Sequence, residues 1–381
     1  MKNRLLLTLS VIMIIATSCS QMKVQQINNN DKVPKKAGLI YYLPKTVIYL
    51  DIEVHRSDFL KGPFAAYSSK YTGISNVISE NSTEYRIEDI IITTAYTADT
   101  SNAFLITLPK SKKNVPHFVF SEDGVLMSMN YGEDTIYETK KHQGTGSYSE
   151  MDIDPGEFKY FASENIKVKT DTIFEKIVLD TITIEKQILE HSVIEKSDED
   201  KAKDVADYLK LIAEHKLNLL SGYQEVAYSL DVIQFMYDEL DQLEQDYLSL
   251  FTGKEVEGTM HFRFAITPCI SMPDTGSFLC SFDPYRGITY EYDSIYTSRN
   301  IFYKIIPSGK TDVLNSLEEG KKKGIYYNIP DNTRFVLVKG DGEILFESNA
   351  SIAQLGKIMF MPASINALRF YNSSGSIRSV K

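Results

Sequence analysis

The clearest strand pattern in the chain covers residues 46–54, which read Thr-Val-Ile-Tyr-Leu-Asp-Ile-Glu-Val. β-branched and aromatic side chains fill this run, and such residues favour extended backbone. Shorter runs of the same type occur at residues 88–94, 104–108 and 117–120, each bounded by Pro, Gly, Asn or Asp. Residues 38–197 are therefore predicted to form an N-terminal β-rich domain.

Residues 198–253 change to a helical pattern. Apolar residues recur at helical spacing in two blocks, and Gly222 and Gly253 follow the blocks as helix-ending residues. The short linker between the blocks predicts an antiparallel helical hairpin. Lysines lie on the first block, whereas the second is acidic and has no Lys or Arg. Attraction across the hairpin is predicted, and an acidic docking face for a basic partner is the alternative.

Strand patterns return in residues 254–381. Residues 260–266 alternate between apolar and polar side chains, and residues 334–338 and 344–346 flank the turn Gly340-Asp341-Gly342. The fold class predicted for the whole chain is α+β and mostly β. Two β-rich domains, each a sandwich or a partial barrel, are expected with the helical hairpin between them.

The N-terminal residues 1–19 have the layout of a bacterial lipoprotein signal. Lys2 and Arg4 precede an apolar run of about a dozen residues, shorter than the ~20 that span a bilayer as a helix. Small residues lead directly to Cys19, which we expect to be lipidated and to attach the protein to a membrane. A secretory signal with an incidental cysteine is the alternative. Residues 20–37 are polar and are predicted to form a flexible tether.

The length and composition limit the classes of function. A chain of 381 residues is too long for one compact core, so two or more domains are expected. Its net charge of −10 argues against a nucleic-acid partner, because binding to phosphates needs a basic surface. Tyr and Phe number 24 and 19, which favours β structure, whereas the lack of Trp weakly disfavours sugar binding.

Two cysteines remain after the signal, Cys269 and Cys280. If the chain reverses at Asp274-Thr275, these cysteines lie opposite each other across a hairpin, where a disulfide could form in an oxidising compartment. Two separately buried free thiols are the alternative. Two cysteines without a nearby His pair cannot complete a tetrahedral zinc site.

The sequence lacks the motifs of common catalytic and cofactor sites. The sequence has no Gly-x-Ser-x-Gly, His-Glu-x-x-His or Gly-x-x-x-x-Gly-Lys motif, and its six histidines are scattered singly. We therefore assign no catalytic residue, no metal ligand and no cofactor.

Two phrases of the sequence echo each other. Residues 38–44 and 324–330 share a Gly, an aligned Tyr, an aliphatic residue and a Pro at the same offsets. Duplicated β domains would explain the echo. The ordinary chemistry of a turn that leads into an edge strand also explains it and is favoured.

Four phrases together resemble one family. Residues 38–46, 62–71, 243–254 and 324–330 are similar to the domain-of-unknown-function family 4831, found in lipoproteins of Bacteroides-type Gram-negative bacteria. The resemblance runs from about Gly38 to the C-terminus, carries no functional residue, and implies an envelope location. Surface-exported lipoproteins of such bacteria resemble one another in an acidic run after the lipidated Cys. Ser20-Gln21-Met22-Lys23 lacks one, so we expect the periplasmic face of the outer membrane.

A short motif resembles the O-glycosylation signal of the same bacterial group. Asp followed by Ser or Thr and an aliphatic residue occurs four times, which nominates Thr135, Thr172, Thr181 and Ser294 for modification. The alternative is that each Asp leaves a turn and the next two residues begin a strand.

Two hypotheses about function follow. The first is a non-catalytic binding or structural module with an unknown protein or glycan partner in the envelope, and a candidate surface formed by Tyr285, Tyr290, Tyr292 and Tyr296. A buried sheet face is the alternative for these tyrosines. The second hypothesis is a periplasmic hydrolase that cleaves glycan or peptidoglycan with a carboxylate pair that the sequence cannot locate.

Overall fold

The computed structural model describes residues 22–27, 38–108, 116–131, 158, 165–179, 182–221, 229–269, 275–311, 324–362 and 365–381. In these residues β structure dominates and two long helices are present, so the prediction of a mostly β, α+β fold is confirmed. No helix among them is both long and apolar enough to cross a membrane.

The strands, in chain order, are β1 (Lys23–Ile27), β2 (Leu39–Leu60), β3 (Ser82–Thr107), β4 (Phe118–Phe120), β5 (Leu126–Met129), β6 (Ile166–Leu179), β7 (Ile182–Glu195), β8 (Lys254–Ile266), β9 (Ser277–Asp283), β10 (Gly287–Thr289), β11 (Asn300–Ile306), β12 (Gly324–Lys339), β13 (Ile344–Pro362), β14 (Leu368–Phe370) and β15 (Ile377–Val380). The helices are α1 (Ser68–Tyr71), α2 (Asp198–Ser221) and α3 (Leu230–Thr252), with 3-10 turns at Ala65–Tyr67 and Thr297–Arg299.

The described strands form four sheets. The first has the order β1-β3-β2-β8, the second β10-β9-β11-β12-β13 and the third β15-β14-β5-β4, whereas β6 and β7 pair only with each other. All of these pairs are antiparallel. An antiparallel sheet can bury one face and leave the other in water, which agrees with the alternation seen in the sequence.

Strand β2 contributes to two hydrophobic cores. Its buried residues occupy odd positions up to Leu43 and even positions from Pro44 onward. The change coincides with an irregularity in the pairing with β3 between Tyr42 and Leu43. Since successive side chains of a strand point to opposite faces, this break moves the buried set from one face to the other. Tyr41 and Leu43 thus enter one core, and the later residues enter another.

The strand pairing crosses the predicted domain boundaries. β8, from the predicted C-terminal domain, pairs with β2 from the predicted N-terminal domain, and β14 pairs with β5 in the same way. Part of the predicted flexible tether is also ordered, because Lys23–Ile27 pairs with β3 and the side chain of Val24 is buried. A polar segment can join a sheet in this way, since its backbone supplies the hydrogen bonds.

The predicted helical hairpin is confirmed. The Ser197 hydroxyl accepts a hydrogen bond from the Asp200 N–H at 3.2 Å and the Asp200 carboxylate accepts one from the Ser197 N–H at 3.0 Å, a reciprocal cap that begins α2. The ammonium of Lys216 on α2 lies 2.7 Å from the carboxylate of Asp241 and 2.5 Å from that of Glu244, both on α3. Opposite charges therefore meet across the hairpin, as the sequence predicts.

The two echoing phrases occupy equivalent places in two long β-hairpins. A Cβ at Gly38 would lie 2.4 Å from the Ile106 carbonyl oxygen, and one at Gly324 would lie 2.1 Å from that of Met361. Both hairpins then become irregular beside the Pro of the phrase. Between two consecutive paired positions at this point, β3 moves on by four residues while β2 moves on by one. In the second hairpin, β13 moves on by five residues while β12 moves on by two. The shared close approach and irregularity favour a duplicated hairpin over two unrelated turns.

The helical hairpin offers a matched pair of substitutions. Leu250 on α3 is 0% exposed in the core shared with Phe64 and Val205, whereas Leu230 on the same helix is 79% exposed. Leu250→Ala should lower the free energy of unfolding by about 2–5 kcal/mol, because it leaves a cavity. Leu230→Ala should change it by no more than about 0.5 kcal/mol. Urea denaturation measures both, and equal losses would contradict the packing of α3.

Candidate functional site

The four candidate tyrosines are all exposed. Tyr285, Tyr290, Tyr292 and Tyr296 retain 68%, 60%, 54% and 56% of their accessible surface, so the alternative of a buried sheet face is wrong. We call these four residues the tyrosine surface. They lie between the end of β9 and the start of β11, on either side of the short strand β10.

A buried asparagine fixes the backbone beneath the tyrosine surface. Asn300, the first residue of β11, is 0% exposed. Its Oδ1 accepts a hydrogen bond from the Asp293 N–H at 2.8 Å, and its Nδ2 donates one to the Asp293 carbonyl at 2.8 Å. The Ser281 hydroxyl lies 2.6 Å from the same Oδ1 and 2.7 Å from the Glu291 carbonyl oxygen. Neighbouring strands therefore hold the loop by side-chain hydrogen bonds.

Two carboxylates and one guanidinium orient the outer tyrosines. The Asp293 carboxylate accepts hydrogen bonds from the N–H groups of Ile295 at 2.9 Å and Tyr296 at 2.7 Å, and the Asp283 carboxylate accepts one from the Tyr285 N–H at 2.7 Å. The Arg299 guanidinium pairs with Asp283 and lies 3.7 Å from Asp293. It also lies 4.2 Å from the ring centroid of Tyr296, within cation–π distance.

These contacts change the titration of Asp293. The hydrogen bond from the Tyr296 N–H, followed by the one from Ile295 and the charge of Arg299, holds the pKa of this carboxyl below its ordinary value, although burial acts in the opposite direction. A lowered carboxyl pKa contributes stability above the ordinary pKa of about 4, and the contribution is lost as the pH falls through the lowered value. The Asp293 carboxyl is therefore ionised at neutral pH and accepts these hydrogen bonds in its charged form.

The two inner tyrosines rest on other aromatic rings. The ring centroid of Tyr290 lies 5.9 Å from that of Phe264 on β8, and the centroid of Tyr292 lies 5.4 Å from that of Phe278 on β9 and 6.4 Å from that of Phe302 on β11. Such ring pairs restrict side-chain rotation while the outer faces stay in water. The tyrosine surface therefore consists of exposed aromatic residues on a loop whose backbone is held by hydrogen bonds.

The surface is rich in residue types that are common at protein interfaces. Tyr and Arg are the residues most enriched among those that dominate binding energy at protein interfaces. Among the described residues, no three His, Cys, Asp or Glu side chains come together in a way that could hold a metal ion. The exposed tyrosines present aromatic rings for packing and phenolic hydroxyl groups for hydrogen bonding.

The two cysteines are free thiols in this structure and do not form the disulfide that the sequence left open. Cys269 is exposed and Cys280 is buried. Cys269 follows β8 of the first sheet and Cys280 lies in β9, which pairs with β10 and β11 of the second sheet. The expected hairpin therefore does not pair these strands. Burial raises the pKa of the Cys280 thiol to about 12, which keeps it protonated at neutral pH.

The remaining predicted residues fall in two groups. Thr172 on β6 and Ser294 beside the tyrosine surface are exposed. Asp293 accepts the N–H two residues later, as in a turn, but no strand begins at Ser294, and Thr172 lies inside β6 rather than at its start, so the alternative of a turn followed by a new strand does not hold for these two motifs. Cys19, Thr135 and Thr181 lie outside the described residues.

The phrases that carry the family resemblance meet in pairs. The Phe64 N–H donates a hydrogen bond to the Leu250 carbonyl at 2.9 Å, which joins residues 62–71 to residues 243–254. The Tyr41 hydroxyl accepts one from the Tyr326 N–H at 2.9 Å, which joins the two echoing phrases. The most distinctive phrases therefore contact one another where segments distant in the sequence pack together.

Comparison with known proteins agrees with that resemblance. The profile of the family described as "Domain of unknown function (DUF4831)" matches residues 37–172 and 162–378. The chain belongs to the DUF4831 family. No curated protein and no solved structure matches this DUF4831 chain significantly.

Sequence reasoning identified the tyrosines of the DUF4831 chain but missed the groups that hold them. Asn300, Asp283 and Arg299 are polar residues at or next to the ends of β9 and β11, and nothing in their local pattern shows that they meet. One signal was available, since Asp in an irregular segment commonly accepts hydrogen bonds from the backbone N–H groups that follow it, and Asp293 is such a residue.

The role of Asn300 can be measured. Asn300→Ala should lower the free energy of unfolding by about 1–3 kcal/mol, because it leaves buried hydrogen-bonding groups of Asp293 and Ser281 without their partner. Asn332→Ala, at an exposed position on β12, is the control and should change it by no more than about 0.5 kcal/mol. Chemical denaturation of the two variants with the same midpoint would show that Asn300 does not support the loop.

Proposed function

We propose that this DUF4831 protein is a lipid-anchored envelope protein that binds a protein or glycan partner through the tyrosine surface and performs no catalysis. One observation carries the binding role: four exposed tyrosines stand on a loop that buried and half-buried polar groups hold in place. A preorganised surface binds with a smaller loss of conformational entropy than a flexible one.

The lipid anchor is supported by the sequence. Residues 1–19 combine a basic start, a short apolar run and small residues before Cys19. The proposed location is the periplasmic face of the outer membrane, because the residues after Cys19 include no acidic run. The proposal also includes O-glycosylation at Thr172 and Ser294, whose side chains are exposed.

The tyrosine surface is tested by photo-crosslinking in living cells. A photoreactive phenylalanine analogue replaces Tyr290 or Tyr296 in turn, and a third variant carries it at Tyr371, which is 50% exposed on another part of the fold. We expect discrete adducts from the first two positions, lost when Tyr285 and Tyr292 are both changed to Ser. The same adducts from position 371, or none from any position, would contradict the proposal.

An assay with purified wild-type protein tests the absence of catalysis. Isolated peptidoglycan sacculi are incubated with the wild-type protein, and soluble reducing ends are measured over time. We expect no release above that of a heat-denatured sample. Steady release that a single Asp or Glu substitution abolishes would establish the hydrolase instead.

The anchor is tested by partitioning. In a detergent phase separation, the wild-type protein expressed in a lipoprotein-processing host should enter the detergent phase, and Cys19→Ala should stay in the aqueous phase, because a diacylated cysteine buries long apolar chains. Equal aqueous partitioning of both proteins would refute lipidation.

A further inference from the structure

The connection between the proposed lipid and the fold is very short. Cys19 stands three residues before Met22, and Met22 is buried in the core that also contains Tyr41 and Phe104. A fully extended chain covers at most about 3.6 Å per residue, so the Cα atoms of Cys19 and Met22 lie no more than about 11 Å apart. The folded body therefore cannot move away from a lipid attached at Cys19.

Three strand ends meet beside this connection. Lys23 pairs with Thr107 at the end of β3, and Ile106 pairs with both Val24 and Leu39. Neighbouring strands are about 4.8 Å apart, so the Cα of Leu39 lies about 10 Å from that of Val24. Leu39 and Ile40 are consecutive apolar residues with 37% and 49% of their surface exposed, and Lys23 is exposed as well.

We propose that this end of the first sheet, formed by Lys23, Leu39 and Ile40, rests directly on the lipid surface. The inference depends on the lipid at Cys19 that the proposed function includes. Leu39 and Ile40 enter the headgroup region, where apolar side chains leave water, and the ammonium of Lys23 faces lipid phosphates. The lipid surface is the occupant because the covalent connection brings no other partner so close.

The contact orients the rest of the molecule. β2 begins at Leu39 and continues for 22 residues, a path of up to about 70 Å at 3.3 Å per residue. Just beyond the far end of β2, the Phe64 N–H binds the Leu250 carbonyl of α3. The helical hairpin is therefore carried away from the membrane.

The test measures the depth of two fluorescent labels on the lipidated full-length protein in vesicles of phosphatidylethanolamine and phosphatidylglycerol. Cys269→Ser removes the exposed thiol, and the buried Cys280 does not react. An environment-sensitive dye is attached to Ile40→Cys, or to Leu39→Cys as a second probe, and to Asp238→Cys on α3 as the control. Lipids with a nitroxide headgroup quench dyes near the surface. We expect quenching at positions 39 and 40 and none at position 238.

A linker variant separates contact from mere attachment. Insertion of about ten Gly and Ser residues between Gln21 and Met22 makes a flexible tether, and it should abolish quenching at position 40 while flotation with the vesicles is unchanged. Three outcomes overturn the proposal. They are quenching at position 40 that survives the insertion, equal quenching at positions 40 and 238, and a dye at position 40 that is buried against a second copy of the chain instead of lipid. In the protein without the insertion, flotation without quenching refutes the contact alone, whereas loss of flotation refutes the anchor and the contact together.

Discussion

The pairing of β2 with strands on both of its sides is the constraint on which the rest of the structure depends. β2 pairs with β3 from Leu39 to Phe59 and with β8 from Ile48 to Leu60. A shift of one residue in either register would turn every buried side chain toward water. The irregularity between Tyr42 and Leu43 does shift the register, and it thereby moves the buried side chains of β2 to the other face. One strand can therefore supply two cores.

The same strand explains why distant phrases of the chain are closely related in space. Its first residues contact β12 through the Tyr41 hydroxyl and its C-terminal extension contacts α3 through Phe64. Gly62 allows that second contact, since a Cβ there would lie 2.4 Å from the Leu250 carbonyl oxygen. A bulkier residue would force the helical hairpin away from the first sheet. The distinctive phrases of the DUF4831 chain therefore connect the first sheet to β12 and to the helical hairpin.

The loop that carries the tyrosine surface is held by polar contacts rather than by a hydrophobic core. Loops carry function because a rigid scaffold can hold a variable segment in one conformation. Here the scaffold is the pair of strands β9 and β11. Polar contacts fix the loop to it, through the side chains of Ser281 and Asn300 and the ion pair of Arg299 with Asp283. Buried polar groups of this kind are costly unless every partner is present, so they favour a single loop conformation over many.

Local sequence patterns predict the type of several long elements, because periodicity is a local property. The strand at residues 46–54, both long helices and the opposite charges of the hairpin follow from spacing and composition alone. Only the tertiary structure decided which strands share a sheet, and hence that β8 joins β2 and that Cys280 lies in a different sheet from the strand before Cys269. It also decided that the tyrosines are exposed and that Asn300 holds their loop. Strand pairing and burial depend on residues far apart in the chain, and no local pattern records which distant segment supplies the partner.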